Sequence, residues 1–306
     1  FFFFAFLESI FWFAVVAFVH GCGSSAFLLA RLTYLSGNIS ASARGRVIAV
    51  IGTNMRASAL IGPALAGFLA VKVSFAAVFI SGGLLFFLGA FLILIYMDRG
   101  HAQAKSVSFN SLSGLVREKS QVLATAGVVA ISFMFLRSAR NLLLPLCAAG
   151  LGLGPEIVGS LVSLSAGVDM VFAYPAGMLM DRYGRRSAAI PSSLLFCLTF
   201  VLISAADTLT GMLVAACVAG LANGLSTGIV MILGTDHAPS HARGEFLGLW
   251  RLLTDFGTTS SPIFISAMLT FATLSSVSVL IAMIGIGGTL FVYRSVSETL
   301  NTIKPK

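Results

Sequence analysis

Charged residues are scarce in this chain: Asp, Glu, Lys and Arg make up 10% of its 306 residues, against roughly 25% in a soluble domain. With 58% hydrophobic residues and a mean hydropathy of +0.99, that deficit excludes an ordinary water-soluble fold, whose helices each keep a polar face. Cysteine is sparse as well. Cys22, Cys147, Cys197 and Cys217 lie in or beside apolar runs with no CxxC or metal-like spacing, so they read as small buried hydrophobes and no metal site is implied. The G-x-x-x-x-G-K-[ST] phosphate loop is missing, as is any polar stretch long enough for a nucleotide-hydrolysing domain, which excludes a self-contained primary pump. No nucleophile or ligand set gathers near an interface, so the sequence does not read as an enzyme, and it implies no cofactor.

What is abundant is long apolar sequence. Nine runs of about 20 residues, the length that spans ~30 Å of hydrocarbon, cover approximately 10–35, 47–71, 75–97, 122–149, 157–180, 187–206, 210–234, 246–272 and 275–293. Phe1 to Leu7 resemble the end of a tenth. The expected class is an all-α integral membrane protein with about nine membrane helices plus a stub. The chain starts at Phe1 with no basic n-region, which reads as an N-terminal truncation rather than a signal peptide.

The formal charge of +8 suggests a nucleic-acid partner only until it is mapped. Thirteen of the 19 basic residues fall in alternate loops: Arg44, Arg46, Arg99, Lys105, Arg117, Lys119, Arg182, Arg185, Arg186, Arg243, Arg294, Lys304 and Lys306. The opposite loops hold only Lys72. By the positive-inside rule the rich side is cytoplasmic, and the C-terminus with it. Basic charge is therefore topology, with lipid as the partner and no nucleic acid.

The polar stretch 98–121 separates three spans from six. A repeat accompanies this division: Gly21, Ala43-Arg44-Gly45 and Pro63 are matched by Gly220, Ala242-Arg243-Gly244 and Pro262, each pair 199 residues apart. Two parallel repeats of six helices are expected. Residues 1–97 then form the remainder of an N-terminal half, 98–121 a cytoplasmic linker and 122–306 a C-terminal half, with about three helices upstream of Phe1.

The segment Gly177-Met178-Leu179-Met180-Asp181-Arg182-Tyr183-Gly184-Arg185-Arg186 resembles the G-x-x-x-D-R-x-G-R-R loop of the major facilitator superfamily and falls where that family carries it. The resemblance implies the family's fold of two six-helix repeats. It also makes Gly177, Asp181, Arg182, Gly184, Arg185 and Arg186 a gating motif, with Gly177 permitting close helix contact and Asp181 capping or pairing at the helix end. A second segment, Ser58 to Gly67, is similar to the G-P-x-x-G-G element of the family's drug/proton antiporters, with Gly62, Pro63 and Gly67 forming a kink and Ala66 replacing one glycine. The arginine that such antiporters often place four residues before the glycine at Gly21 is Ala17 here.

Ionisable groups inside spans are costly and mark ion or substrate paths. Arg56, Arg137, Arg140, Asp169, Arg251 and Asp255 fall in four spans, and three other spans have none. Asp169 or Asp255 is a candidate proton site near the midplane, Arg56, Arg137 and Asn141 are candidate substrate-orienting groups, and Arg251 is placed on the same substrate or proton pathway. Arg56 and Asp255 occupy equivalent positions in the repeat and could pair; Arg251 and Asp255 could instead form an i,i+4 pair that fixes packing. Gly220, Gly224 and Gly228 form a packing stripe, and His237 and His241 read as loop residues because Pro239 interrupts a helical metal face.

The expected function is secondary transport of a small organic solute by alternating access, as proton-coupled efflux across the plasma or inner membrane. The alternatives are a proton-coupled uptake symporter and a non-transporting membrane sensor on the same fold.

Overall fold

In the computed structural model, residues 2–6, 9–38, 41–96 and 109–295 are described. Residues 98–108 of the predicted linker, with Arg99 and Lys105, lie outside them, as do 296–306 with Lys304 and Lys306. The described residues are helical almost throughout, which is what a bilayer demands: a helix satisfies its own backbone N–H and C=O groups where no water can.

A short 3-10 segment, Phe2–Phe6, stands where the stub was expected. It is followed by α1 Ile10–Asn38, α2 Ala41–Lys72 and α3 Phe75–Tyr96. Next comes α4 Phe109–Glu118, a short amphipathic helix inside the predicted linker. The remaining elements are α5 Ser120–Gly150, α6 Pro155–Tyr183, α7 Arg186–Ala205, α8 Leu209–Ser226, α9 Ile229–His237, α10 Arg243–Leu269 and α11 Leu274–Ser295. The repeat seen in sequence recurs in the elements: Ile10 and Leu209 open α1 and α8, and Phe75 and Leu274 open α3 and α11, each pair again 199 residues apart.

Eight stretches of the described helices are long and apolar enough to cross a membrane, with α8 and α9 counting as one. The ninth predicted span, α10, is long enough at 27 residues, yet Arg243, Glu245, Arg251 and Asp255 in its first half lower its apolarity. That charge is a property of the site described below.

The chain divides into two compact units, residues 1–106 with 154–159, and 107–153 with 160–306. In the first, α3 packs on the 3-10 segment and on α2. Most large apolar side chains of α1 and α3, among them Phe11, Phe18, Leu85 and Phe87, are exposed. Gly67 of α2 faces Pro155 so closely that a Cβ there would meet the Pro155 carbonyl and lie 2.9 Å from the Glu156 Cα.

The second unit has a dense core. Phe133, Leu143, Phe196, Phe200, Met212, Phe246, Ile265 and Ile281 are fully buried where α7 packs on α8 and α11, and α5 on α10 and α11. Without a hydrophobic drive between helices in lipid, close approach and interhelical hydrogen bonds do the holding. Gly257 of α10 sits against the Ile131 carbonyl of α5, where a Cβ would come within 2.5 Å. Ser138 Oγ donates to the Thr258 carbonyl at 2.8 Å, and the buried hydroxyls of Ser193 and Thr289 bond α7 to α11. Near its start α5 contains one π-helical turn, Leu123–Gly127.

Candidate functional site

The glycine stripe decides how α8 meets α6. A Cβ on Gly220 would collide with the Ser165 carbonyl and stand 2.7 Å from the Val168 Cβ; one on Gly224 would be 2.9 Å from the Asp169 carbonyl oxygen and 3.0 Å from the Phe172 Cβ. Backbone therefore lies on backbone, and Asn223, on the same stretch of α8, reaches the Asp169 carboxylate. Its Nδ2 donates to Oδ2 at 2.9 Å, and Thr227 Oγ1, one turn on, lies 3.3 Å from Oδ1. At 1.5 Å rise per residue, Asp169 is about 21 Å into α6, near mid-span.

Arg137 and Arg140 stand three residues apart on α5 and share a face. Arg140 donates from Nε and Nη2 to Asn141 Oδ1 (3.2 and 2.7 Å) and from Nη1 to Ser165 Oγ and the Ala219 carbonyl (3.0 and 3.4 Å). Asp169 and Arg137 are its charged neighbours. Arg137 Nη2 donates to Ser226 Oγ at 2.8 Å. The sequence reading singled out Arg137, Asn141 and Asp169; the structure joins them through Arg140, Asn223, Ser226 and Thr227, which it did not assign. One signal was available: Asn223 and Thr227 are four apart, on the stretch that bears the glycines.

Gly228 departs from the packing role expected of it. Its φ of +87° is left-handed, and it ends the helical run so that α8 and α9 are separate pieces of one span. The turn leaves Ser226 Oγ and Thr227 Oγ1 both donating to the Asn223 carbonyl at 2.8 and 2.9 Å. Beside this break a cavity of about 310 Å³ opens between α5, the start of α9 and α10. Arg137, Ser226, Gly228, Trp250, Arg251 and Thr254 line it together with apolar side chains. Trp250 is buried and donates Nε1 to the Val230 carbonyl at 2.9 Å, lying flush on Gly234. Arg251 pairs with Asp255 at 2.9 Å across one helical turn, and its side chain is 61% exposed. The i,i+4 pair is thus formed, and Asp255 is turned to Arg251. Arg56 stands in α2 of the other unit, half-buried.

At the basic loop, Gly184 has φ +92° and turns the chain out of α6. Ser187 Oγ secures the turn by donating to the Gly184 carbonyl at 2.6 Å. Arg185 then reaches the end of α9, with Nη2 3.1 Å and Nε 3.2 Å from Asp236 Oδ2. Arg182 lies over the Tyr183 ring at 5.3 Å. Asp181 is exposed and makes no hydrogen bond or ion pair among the described residues. A Cβ built on Gly177 would meet nothing within 4 Å among the described residues. Asp236 was missed because nothing in a lone acid after an apolar run names its partner. In the first unit Pro63 falls inside α2 without ending it, and Gly62 is in the open. His237 Nδ1 lies 2.8 Å from the Leu233 carbonyl, and His241 lies 3.5 Å from Glu118. No group of three or more metal-ligating side chains occurs among the described residues.

Comparison with known proteins agrees with this architecture. The chain is 26% identical over 109 residues to the arabinose-proton symporter of Bacillus subtilis, covering 36% of this chain and 24% of that protein. It is 31% identical over 121 residues to the MFS-type efflux transporter ffsH of Aspergillus flavipes, covering 39% and 22%. Among the curated relatives it matches, the chain spans from 16% to 61% of their own length. A crystal structure of a POT family transporter in complex with a thioalcohol-conjugated peptide superposes with a TM-score of 0.65 at 10% identity, over 85% of this chain and 71% of that one, a likeness of fold. The family model of the Major Facilitator Superfamily matches residues 1–136 and again 126–306. This chain of membrane-spanning helices, with its polar mid-span cluster and its arginine-rich loop, is a multi-pass member of the Major Facilitator Superfamily.

Proposed function

We propose that the chain serves proton-coupled export of a small organic solute across the plasma or inner membrane, with its C-terminus cytoplasmic. Residues 1–97 and 122–306 act as the two halves that rock in alternating access, joined by the cytoplasmic linker 98–121. The observation that carries the reading is Asp169. It is a mid-span carboxylate held by Asn223, with the Thr227 hydroxyl 3.3 Å away, beside the α8–α9 break, and such a group is costly in a membrane unless it handles charge. Asp169 takes and releases the proton; Arg137 and Arg251 orient the solute, with Asn141 held beside them by Arg140. Arg185 and Asp236 latch the gating loop in one state and part in the other, as the loop's position in the family suggests.

Export is supported by the Gly62-Pro63 segment and by the likeness to an efflux transporter. The likeness to a proton symporter supports uptake as the second reading. The sign of proton movement separates them. In inside-out vesicles with an acidic lumen, addition of an exported solute releases protons and Asp169→Asn abolishes the release. Solute-driven proton entry into the lumen selects uptake. No proton movement with any member of a panel of cations, anions and neutral drugs overturns proton coupling.

A further inference from the structure

We propose that the cavity beside the α8–α9 break takes an organic anion with an apolar body, its negative head held between Arg137 and Arg251. The inference rests on the carrier reading above and names the class of its substrate.

The walls carry the argument. Two arginines and no acid line the cavity. The arginines have different surroundings. Arg140 is spent on Asn141, Ser165 and the Ala219 carbonyl. Arg251 has one carboxylate oxygen 2.9 Å from Nε and keeps 61% of its side chain exposed. Its planar fork offers two parallel N–H donors that match a carboxylate, sulfonate or phosphonate.

The neutral polar groups nearby do not compete for such a ligand. Thr254 Oγ1 donates to the Arg251 carbonyl at 2.8 Å, and Ser226 Oγ donates to the Asn223 carbonyl while accepting from Arg137. The Trp250 N–H is likewise committed to Val230, so its ring offers only an apolar surface, with Met134, Met231 and Leu247 completing that side. Gly228 lets the backbone turn at the cavity edge, and the first turn of α9 opens there, so the positive end of its dipole adds to the arginines' field. At about 310 Å³ the space is at the lower end for ligand pockets and suits a body of one or two rings. A cation would meet two arginines and no acid.

The test is direct binding with no gradient, in the full chain in lipid nanodiscs. The chain has two tryptophans, so Trp12→Phe leaves Trp250 as the sole reporter. Its emission is titrated with sodium acetate, benzoate and 2-naphthoate, with benzamide and 2-naphthamide as neutral partners, and with benzylammonium. Saturable changes are expected for at least one aromatic carboxylate, at least tenfold tighter than for its amide, and none for benzylammonium. Arg251→Gln should weaken carboxylate binding about ten- to a hundredfold, as loss of a charge-assisted contact does, leave the amide unchanged, and be partly rescued by Arg251→Lys. Benzylammonium binding as tightly as the carboxylates, carboxylate binding unaffected by both Arg251→Gln and Arg137→Gln, or no saturable response to any carboxylate would each overturn the proposal. A solute-driven proton signal in vesicles alongside any of these would leave the carrier reading standing.

Discussion

Replacing Gly220 by alanine tests whether backbone contact between α8 and α6 sets up the polar cluster. The added Cβ meets the Ser165 carbonyl below van der Waals distance and stands 2.7 Å from the Val168 Cβ. Neither neighbour is a flexible side-chain tip, so α8 has to retreat by about 0.5–1 Å to restore an ordinary contact. Asn223 lies less than one turn away and moves with it, which stretches its 2.9 Å bond to Asp169 to or past the limit of a hydrogen bond. Overpacking of this kind costs about 1–3 kcal/mol, and loss of a bond to a charged group about 1.5–3 kcal/mol. Both arise from one displacement, so their sum is an upper bound and about 3 kcal/mol is expected. Thermal unfolding in detergent, followed by thiol-reactive dye at the buried Cys147 and Cys197 after Cys22 and Cys217, which are exposed and not buried as the sequence suggested, are replaced by serine, should show a midpoint lower by roughly 6–12 °C. Gly177→Ala is the control: its Cβ enters open space, and the better helix propensity makes it neutral or stabilising by up to about 1 kcal/mol. If Gly220→Ala unfolds with the parent, or Gly177→Ala falls as far, the argument that glycine contact places Asn223 is wrong.

Three further outcomes are expected. Gly228→Ala has room for its methyl, with nearest atoms at 3.6 and 3.7 Å, so its cost is the left-handed backbone alone, about 1–2 kcal/mol, read in the same unfolding assay; a neutral effect would refute the left-handed turn. A double-mutant cycle of Arg185→Ala and Asp236→Ala should give a coupling of about 0.5–1.5 kcal/mol that shrinks in high salt, and zero coupling at low salt would remove the latch. Ser193→Ala and Thr289→Ala should each cost about 0.6–1.7 kcal/mol, the range of interhelical hydrogen bonds in membranes, with the double variant costing no more than the larger single one.

The membrane helices were legible because they follow from apolar run length, a local property that the bilayer enforces. Predicted spans 157–180 and 187–206 became α6 and α7 with ends shifted by a few residues. The polar cluster was legible in part: a charge inside an apolar run identifies Arg137, Asp169, Arg251 and Asp255, but pairings between helices depend on how α5, α6, α8 and α10 are rotated about their axes. Rotation is set by contacts such as Gly224 on Asp169, which join residues 55 apart in a single chain and leave no local mark. Gly228 shows the same limit from the other side. An apolar run continues through it unbroken, and a glycine at four-residue spacing looks like packing until the backbone around it is seen to turn left-handed. The helix α4 was hidden because an amphipathic ten-residue segment in polar surroundings has the composition of a linker; what steadies it is Leu115, buried within its unit where α4 meets α10.

The π-helical turn at Leu123–Gly127 bears on chain length. A π turn houses one residue more than an α turn while changing little else, so it absorbs an insertion that would otherwise rotate everything after it by about 100°. Deleting one residue inside 123–127 should therefore regularise α5 and leave Arg137 and Arg140 facing Ser226 and Ser165. Deleting one between 128 and 136 would swing both guanidinium groups a quarter-turn away, toward a different neighbour or the lipid. The phase of both α5 arginines is held in those five residues, which end about 15 Å of helix before Arg137.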